Sequence, residues 1–294
     1  MSGPAPLRLR GRTFEWGRRT YLMGILNMTP DSFSGDGLLA ASGGAGAADG
    51  VAAAVAQARR MVDEGADLLD VGGESTRPGH RPVDDGEELA RVLPVLAAVR
   101  AALPDVPLSI DTTKPAVAEA ALDAGADLLN DVWAVGPGGV PLARLAAARE
   151  VPLVVMHNRA EAVYRDVVAE VVADLAAALE RAAPVGVPRE LLVVDPGIGF
   201  GKTVEQSLLL LQHLDALQAL GRPILLGTSR KSTIGRVLDL PVQERLEGTL
   251  ATTALGIAAG VDIVRVHDVA ANRRAARMAD AVVRYGGMPP EEGS

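Results

Sequence analysis

Short Val/Ile/Leu runs alternate with longer Ala/Leu-rich stretches along most of the chain. Eight runs stand out: Tyr21–Leu26, Leu68–Val71, Leu108–Ile110, Leu128–Asn130, Leu153–Met156, Leu191–Val194, Ile224–Leu226 and Ile263–Val266. They are largely apolar at consecutive positions, as expected of a strand buried on both faces. Each gives way to polar residues. Between and after them lie helical patterns, over Gly50–Asp63, Gly86–Ala101, Pro115–Asp123, Val140–Arg149, Val167–Ala182, Val204–Leu220, Gln243–Ala259 and Arg273–Arg284. Three helix-to-strand junctions repeat: EGADLLDV (Glu64–Val71), AGADLLNDV (Ala124–Val132) and AGVDIVRV (Ala259–Val266). Gly65, Gly125 and Gly260 stand where a helix stops, as a C-cap glycine does, and a strand follows within two or three residues.

Parallel strands covered by helices follow from this pattern. Eight β-α units predict a (β/α)8 TIM barrel in the α/β class, a single domain over residues 1–294. A doubly wound open sheet is the alternative, but eight units fill a barrel with none left over. The segment Leu7–Trp16 partly alternates and has Gly11 at a turn position, which predicts an N-terminal β-hairpin under the barrel. The Ala/Gly-rich Leu38–Gly50 lies between strand 1 and helix 1, the place of an active-site loop rather than a linker.

Composition narrows the function classes. The 294 residues carry a net charge of −8, which argues against nucleic acid or an anionic membrane as a partner. No cysteine is present, so disulfides, thiolate metal sites and cysteine nucleophiles are excluded. The start, MSGPAPLRLRGR, has no apolar signal-peptide core, and no run of about 18 uncharged apolar residues predicts a membrane span. A soluble cytoplasmic protein is expected.

In a barrel, chemistry sits at the C-terminal ends of the strands. There the chain places Asn27, Asp111, Asn130, His157, Asp195, the segment GTSRKS (Gly227–Ser232) and Arg265-Val266-His267-Asp268. Asp111, Asn130 and Asp195 would converge as acceptors plus one amide, a set suited to a flat heterocycle with adjacent N–H donors. Arg77, Lys231, Arg265 and His267 come from strands 2, 7 and 8 and would face an anion, with the first turn of a helix near Ser232 adding N–H groups. Some of these positions have a second reading. Asp31, Asp131 and Asp268 would equally serve as turn or cap residues, His157 and His267 as structural groups, and Arg77 as a surface charge. The four histidines lack the spacing of a zinc site and no GxSxG elbow occurs, so any metal would be a hard cation such as Mg2+ shared with phosphate oxygens.

DPGIGFGKT (Asp195–Thr203) ends like a phosphate-binding P-loop. The GxxxxGK[ST] spacing requires glycine at residue 196, which is Pro196, so the motif fails. GKT is instead expected to open helix 6.

The ordered stretches NMTPDSFS (Asn27–Ser34), DVGGESTRPG (Asp70–Gly79), SIDTTKP (Ser109–Pro115), LLNDV (Leu128–Val132), DPGIGFGKT, GTSRKS and RVHDV (Arg265–Val269) together resemble the dihydropteroate synthase family, barrel enzymes of folate biosynthesis. The resemblance implies that 6-hydroxymethyl-7,8-dihydropterin diphosphate and 4-aminobenzoate are joined to dihydropteroate, with release of pyrophosphate and with Mg2+ accompanying the diphosphate. It implies that Asp111, Asn130 and Asp195 hold the pterin edge, with Lys231 bridging towards the ring and Met156 packing on it. It also implies that Asn27, Arg77, Arg265 and His267 face the diphosphate, Asn27 near the metal, and that Thr76, Pro78, Phe200 and Ser229 form the aminobenzoate site. Asp111, Lys231, Arg265 and His267 would be the catalytic set. A homodimer, and competition by sulfonamides as aminobenzoate mimics, are further implications. The chain departs from the family after strand 5, where Met156–Ala162 reads MHNRAEA in place of Met-His followed shortly by Gly and Pro. A corrinoid-type pterin methyltransferase would share the barrel and carboxylates but needs no diphosphate site. A non-catalytic pterin-binding paralogue would have lost the diphosphate residues.

Overall fold

The computed structural model describes residues 3–28, 47–74, 83–134, 136 and 139–285. Its barrel strands are β3 (Tyr21–Asn27), β4 (Leu68–Gly72), β5 (Leu108–Asp111), β6 (Leu128–Asp131), β7 (Leu153–Met156), β8 (Leu192–Asp195), β9 (Leu225–Leu226) and β10 (Ile263–Val266). They form one parallel sheet in the order β8-β7-β6-β5-β4-β3-β10-β9. A parallel bridge between Val194 and Ile224 joins β8 to the start of β9 and closes the ring, with Val194 N donating to Pro223 O at 2.9 Å. The eight-unit barrel expected from the sequence is therefore present, and the open sheet is excluded.

Helices α1 (Ala47–Asp63), α2 (Asp85–Ala102), α3 (Pro115–Asp123), α4 (Gly139–Arg149), α5 (Val167–Ala182), α6 (Val204–Gln212), α7 (Ser232–Leu238), α8 (Leu246–Ala258) and α9 (Val269–Asp280) surround the sheet. Their apolar stripes meet the outward-facing strand residues in one continuous core that includes Leu26, Leu69, Val71, Leu96 and Ile110. Burial of each such large side chain contributes about 1.5–3 kcal/mol. Among the described residues no helix is long and apolar enough to cross a membrane.

Three helical boundaries differ from the periodic reading. The pattern Val204–Leu220 divides at His213, and Leu214–Leu220 continues as a 3-10 segment. Its buried Leu214, Leu217 and Leu220 recur every third residue, which matches three residues per turn. The pattern beginning at Gln243 breaks at Arg245, whose φ of −99° and ψ of 16° are not helical, so α8 starts at Leu246. The last helix starts earlier, at Val269, directly after β10.

The N-terminal hairpin is present as β1 (Leu7–Leu9) paired antiparallel with β2 (Arg12–Phe14). Arg10 and Gly11 both take positive φ, 50° and 76°, which gives the twist of a two-residue primed turn. Leu7 and Phe14 join Met23, Leu68, Leu128, Val154, Val193, Leu225 and Ile263 in a second core inside the barrel. The hairpin thus stoppers the N-terminal end and leaves the C-terminal end as the mouth. Of the segment Leu38–Gly50, only its end falls on described residues, as the first turn of α1.

Candidate active site

Alternate residues of each strand face the barrel interior. On that inner face an apolar residue comes first and a polar one second: Leu68 then Asp70, Leu128 then Asn130, Val193 then Asp195, Ile263 then Arg265. The interior is consequently oily at the stoppered end and ionic at the mouth. Strand register aligns the polar positions. Asn27 pairs with Gly72, Gly72 with Asp111, and Asp111 with Asn130, while Met156 pairs with Asp195 on the adjacent strands β7 and β8. Five sequence-predicted site residues, Asn27, Asp111, Asn130, Met156 and Asp195, therefore reach the mouth together.

Arg265 is the hub of this layer. Its Nε lies 2.5 Å from Asp70 Oδ2, its Nη2 lies 2.9 Å from Asp111 Oδ2, and Asn130 Nδ2 donates to the same Asp70 oxygen at 3.0 Å. The sorting of acceptors from cations expected from the sequence is thus corrected: Arg265 sits between carboxylates instead of apart from them, because a buried guanidinium needs anionic partners. Even so, burial pushes Asp111 up to about 7, with Arg265 opposing the shift and Asp70 adding to it. Asp70 Oδ1, Asp111 Oδ1 and Ser109 Oγ are buried without a hydrogen-bond partner among the described residues. A buried orphan acceptor costs about 1–3 kcal/mol, so the mouth is short of donors and suited to a ligand that brings them.

Asp195 is buried, and its Oδ1 accepts from Gly197 N at 2.7 Å. Burial raises its pKa against the pull of Lys231. Lys231 Nζ donates to Ile198 O at 2.5 Å and lies 4.4 Å from the centre of the Phe200 ring. Burial lowers this amine to about 8. Ser229 Oγ accepts from His267 N at 3.1 Å and lies 2.9 Å from His267 Nδ1. The direction of the bond between this hydroxyl and Nδ1 follows the imidazole tautomer. Beside it, Arg230 holds a positive φ of 57° and pairs with Asp268 through Nε at 3.0 Å and Nη2 at 2.7 Å. Asp268 does stand at the N-cap position of α9, but its side chain makes no cap bond and is taken by Arg230. Asp131 does serve its own turn, accepting from Trp133 N at 2.9 Å.

The β8 loop turns through Gly197, Gly199 and Gly201, all at positive φ. A Cβ on Gly197 would lie 1.9 Å from His157 O, and one on Gly201 2.2 Å from Arg159 O, so this loop packs directly on the β7 loop. GKT does open α6: Thr203 is the N-cap, Oγ1 accepting from Gln206 N at 3.2 Å and Thr203 N donating to Gln206 Oε1 at 2.8 Å. The unusual MHNRAEA segment forms an ionic support under the loop. Arg159 pairs with Glu170 and Asp174 and stacks on Tyr164, whose hydroxyl donates to Gly201 O at 2.8 Å. His157 is buried outside the mouth, between Asp174 and Lys202. Thr76, Arg77, Pro78 and Asp31 lie outside the described residues.

Sequence reasoning missed Asp70 and Lys202 as site components. Asp70 had a signal, a carboxylate at an inward position of an apolar strand. Lys202 had none, because its side chain folds back across the loop.

The described residues hold no cluster of three acidic or histidine side chains that would bind a metal by themselves. A β-carbon at Gly72 would be 3.7 Å from both Asn27 Oδ1 and Asp111 Oδ2, so one amide oxygen faces the mouth beside a carboxylate. That donor set fits a hard cation that arrives with, and is largely ligated by, an oxyanionic substrate.

Barrel, stopper, acceptor-rich mouth and neighbouring cations define an enzyme-type site for a donor-edged heterocycle. The family model described as "Pterin binding enzyme" matches residues 23–267. A dihydropteroate synthase from Clostridium beijerinckii is 48% identical over 279 residues, covering 95% of this chain and 100% of the relative. A crystal structure of dihydropteroate synthase from Clostridium difficile, in the presence of pteroic acid, superimposes with a TM-score of 0.85 at 48% identity, covering 92% of this chain and 99% of that one. The Xanthomonas albilineans dihydropteroate synthase with 4-aminobenzoic acid has a TM-score of 0.85 at 43% identity, covering 96% and 98%. The chain belongs to the pterin-binding enzyme family, and within it to the dihydropteroate synthases.

Substituting Asp70→Asn removes one of the two anions on a buried guanidinium. The expected result is destabilisation by roughly 3 kcal/mol in urea unfolding, with an unchanged m-value. A loss below about 0.5 kcal/mol would show that Arg265 does not depend on Asp70.

Proposed function

We infer that the protein joins 6-hydroxymethyl-7,8-dihydropterin diphosphate to 4-aminobenzoate, forming dihydropteroate and pyrophosphate in folate biosynthesis. The observation that carries this is the acceptor layer Asp70-Asp111-Asn130-Asp195 with unpaired buried oxygens, inside a chain of this family. Asp111, Asn130 and Asp195 accept the donor edge of the pterin, and Met156 packs against the ring. The amine of Lys231 lies between the Asp195 loop and Phe200, where it meets the pterin.

A bond forms between the arylamine nitrogen and the pterin CH2, the C–O bond to the diphosphate breaks, and the proton lost by the amine passes to water or to the departing pyrophosphate. A neutral arylamine needs no strong base. The greater demand is the charge developing on the leaving group, and preorganised donors meet it best. Arg77, His267 and the N–H groups of Arg265 not engaged by Asp70 and Asp111 supply them. Mg2+ held by Asn27 Oδ1 together with the diphosphate oxygens would neutralise part of that charge when bound. Thr76, Pro78, Phe200 and Ser229 form the aminobenzoate site.

A homodimer is supported by α6, α7 and α8, which pack on one another and expose Leu208, Leu209, Val237, Leu238 and Leu255.

Purified protein given the pterin diphosphate, 4-aminobenzoate and Mg2+ is expected to release pyrophosphate, with a sulfonamide competing against 4-aminobenzoate. Asp195→Ala is expected to abolish pterin binding. Intact pterin binding without release would sink the reaction, and unchanged binding by Asp195→Ala would sink the pterin site. In sedimentation equilibrium the protein is expected as a dimer that Leu255→Glu converts towards monomer; a monomeric parent protein would refute the dimer.

A further inference from the structure

The β8 loop carries Phe200 and contains three glycines at positive φ, so its own backbone preferences hold it weakly. Something else must fix it, and the side chain of Lys202 is placed to do so. Instead of reaching for solvent, it folds back under the loop. Its Nζ lies 3.0 Å from Gly197 O, 2.9 Å from Phe200 O and 2.9 Å from His157 Nδ1. Three acceptors match the three N–H donors of an ammonium. Because Lys202 donates to Nδ1, the imidazole carries its proton on Nε2 and gives it to Asp174 Oδ2, 3.1 Å away. Asp174 is in turn held by Arg159 at 2.8 Å. The chain of contacts runs from α5 through the β7 loop to the carbonyl of Phe200.

We propose that Lys202, backed by His157 and Asp174, is a positioning residue for the 4-aminobenzoate site: it clasps the Phe200 loop to the β7 loop and touches no substrate. This rests on the reaction inferred above. Asp195 is placed by strand β8 itself and meets the clasp only through the backbone of His157, whose N donates to its carbonyl at 2.9 Å, and through the attraction between its carboxylate and Lys202. The clasp therefore acts on the second substrate far more than on the pterin.

The charge of Lys202 matters, because a neutral amine keeps only two N–H groups for three acceptors. Burial lowers its pKa to about 7, with Asp195 and Asp174 favouring the charged form and Lys231 and Arg159 opposing it. His157 stays neutral in the same range, its pKa lowered by burial and by Lys202. The clasp is complete below about pH 7 and loosens above it.

The test is steady-state kinetics at saturating pterin diphosphate with Mg2+, from pH 6 to 9, on the unmodified protein and Lys202→Met. Loss of one charge-assisted clasp is expected to raise KM for 4-aminobenzoate roughly tenfold at pH 6. Affinity for 6-hydroxymethylpterin, followed by calorimetry, is expected to change by less than about threefold. In the unmodified protein KM for 4-aminobenzoate is expected to climb with a midpoint near 7, and in Lys202→Met to lose that step. A folded variant with unchanged KM and pH profile overturns the clasp. If the variant does not fold, a KM of the unmodified protein that is flat from pH 6 to 9 overturns it equally. Absence of pyrophosphate release from the unmodified protein would sink the inferred reaction and this proposal with it, whereas release with unchanged KM in the variant sinks only the clasp.

Discussion

Arg265 lies inside the barrel between Asp70 and Asp111, and the rest of the mouth is arranged around it. A guanidinium in that position is tolerable only if its lost hydration is replaced by anions. Two carboxylates do so and leave the group with more acceptors than donors. Asn130 spends its amide on the same Asp70 oxygen, so its own orientation follows from that of the ion pair. The surplus appears as unpaired buried oxygens and as a carboxyl at Asp111 held up at about 7. A ligand with a row of N–H donors relieves both, which is why an acceptor-rich cavity and a donor-edged heterocycle belong together.

That ionic layer exists because the opposite end of the barrel is sealed. Phe14 and Leu7 of the hairpin complete an apolar interior that excludes water beneath the charges. Above the layer, the loops after β7 and β8 are locked on each other by glycines that permit backbone contact, and by the Arg159-Asp174-His157-Lys202 chain. Rigid strands thus set the acceptor groups of the mouth, while side chains from loops set the position of Phe200.

The barrel was legible because each strand is a short apolar run and three junctions repeat a glycine where a helix stops, and both signals are local. The positions of Asp111, Asn130 and Asp195 at the mouth were legible for the same reason: a strand end fixes where its last inward residue points. Pairing was not legible. Nothing near Arg265 in sequence says that its partners are Asp70 and Asp111 on strands far away in the chain, and only barrel closure brings them within hydrogen-bond distance. Asp268 caps α9 by position as expected, but its carboxylate is paired with Arg230, held at positive φ, and makes no cap bond. The division of Val204–Leu220 was visible in principle, in leucines spaced by three, but helical and 3-10 periods overlap over so short a stretch. Lys202 gave no signal because a lysine next to a helix start ordinarily faces water.

The most direct test of this account is a crystal structure of the protein with 6-hydroxymethylpterin diphosphate. It is expected to show the pterin edge on Asp111, Asn130 and Asp195, with Arg265 still paired to Asp70. A pterin bound elsewhere, or Arg265 released from both carboxylates, would contradict the claim that this buried ion pair organises the site.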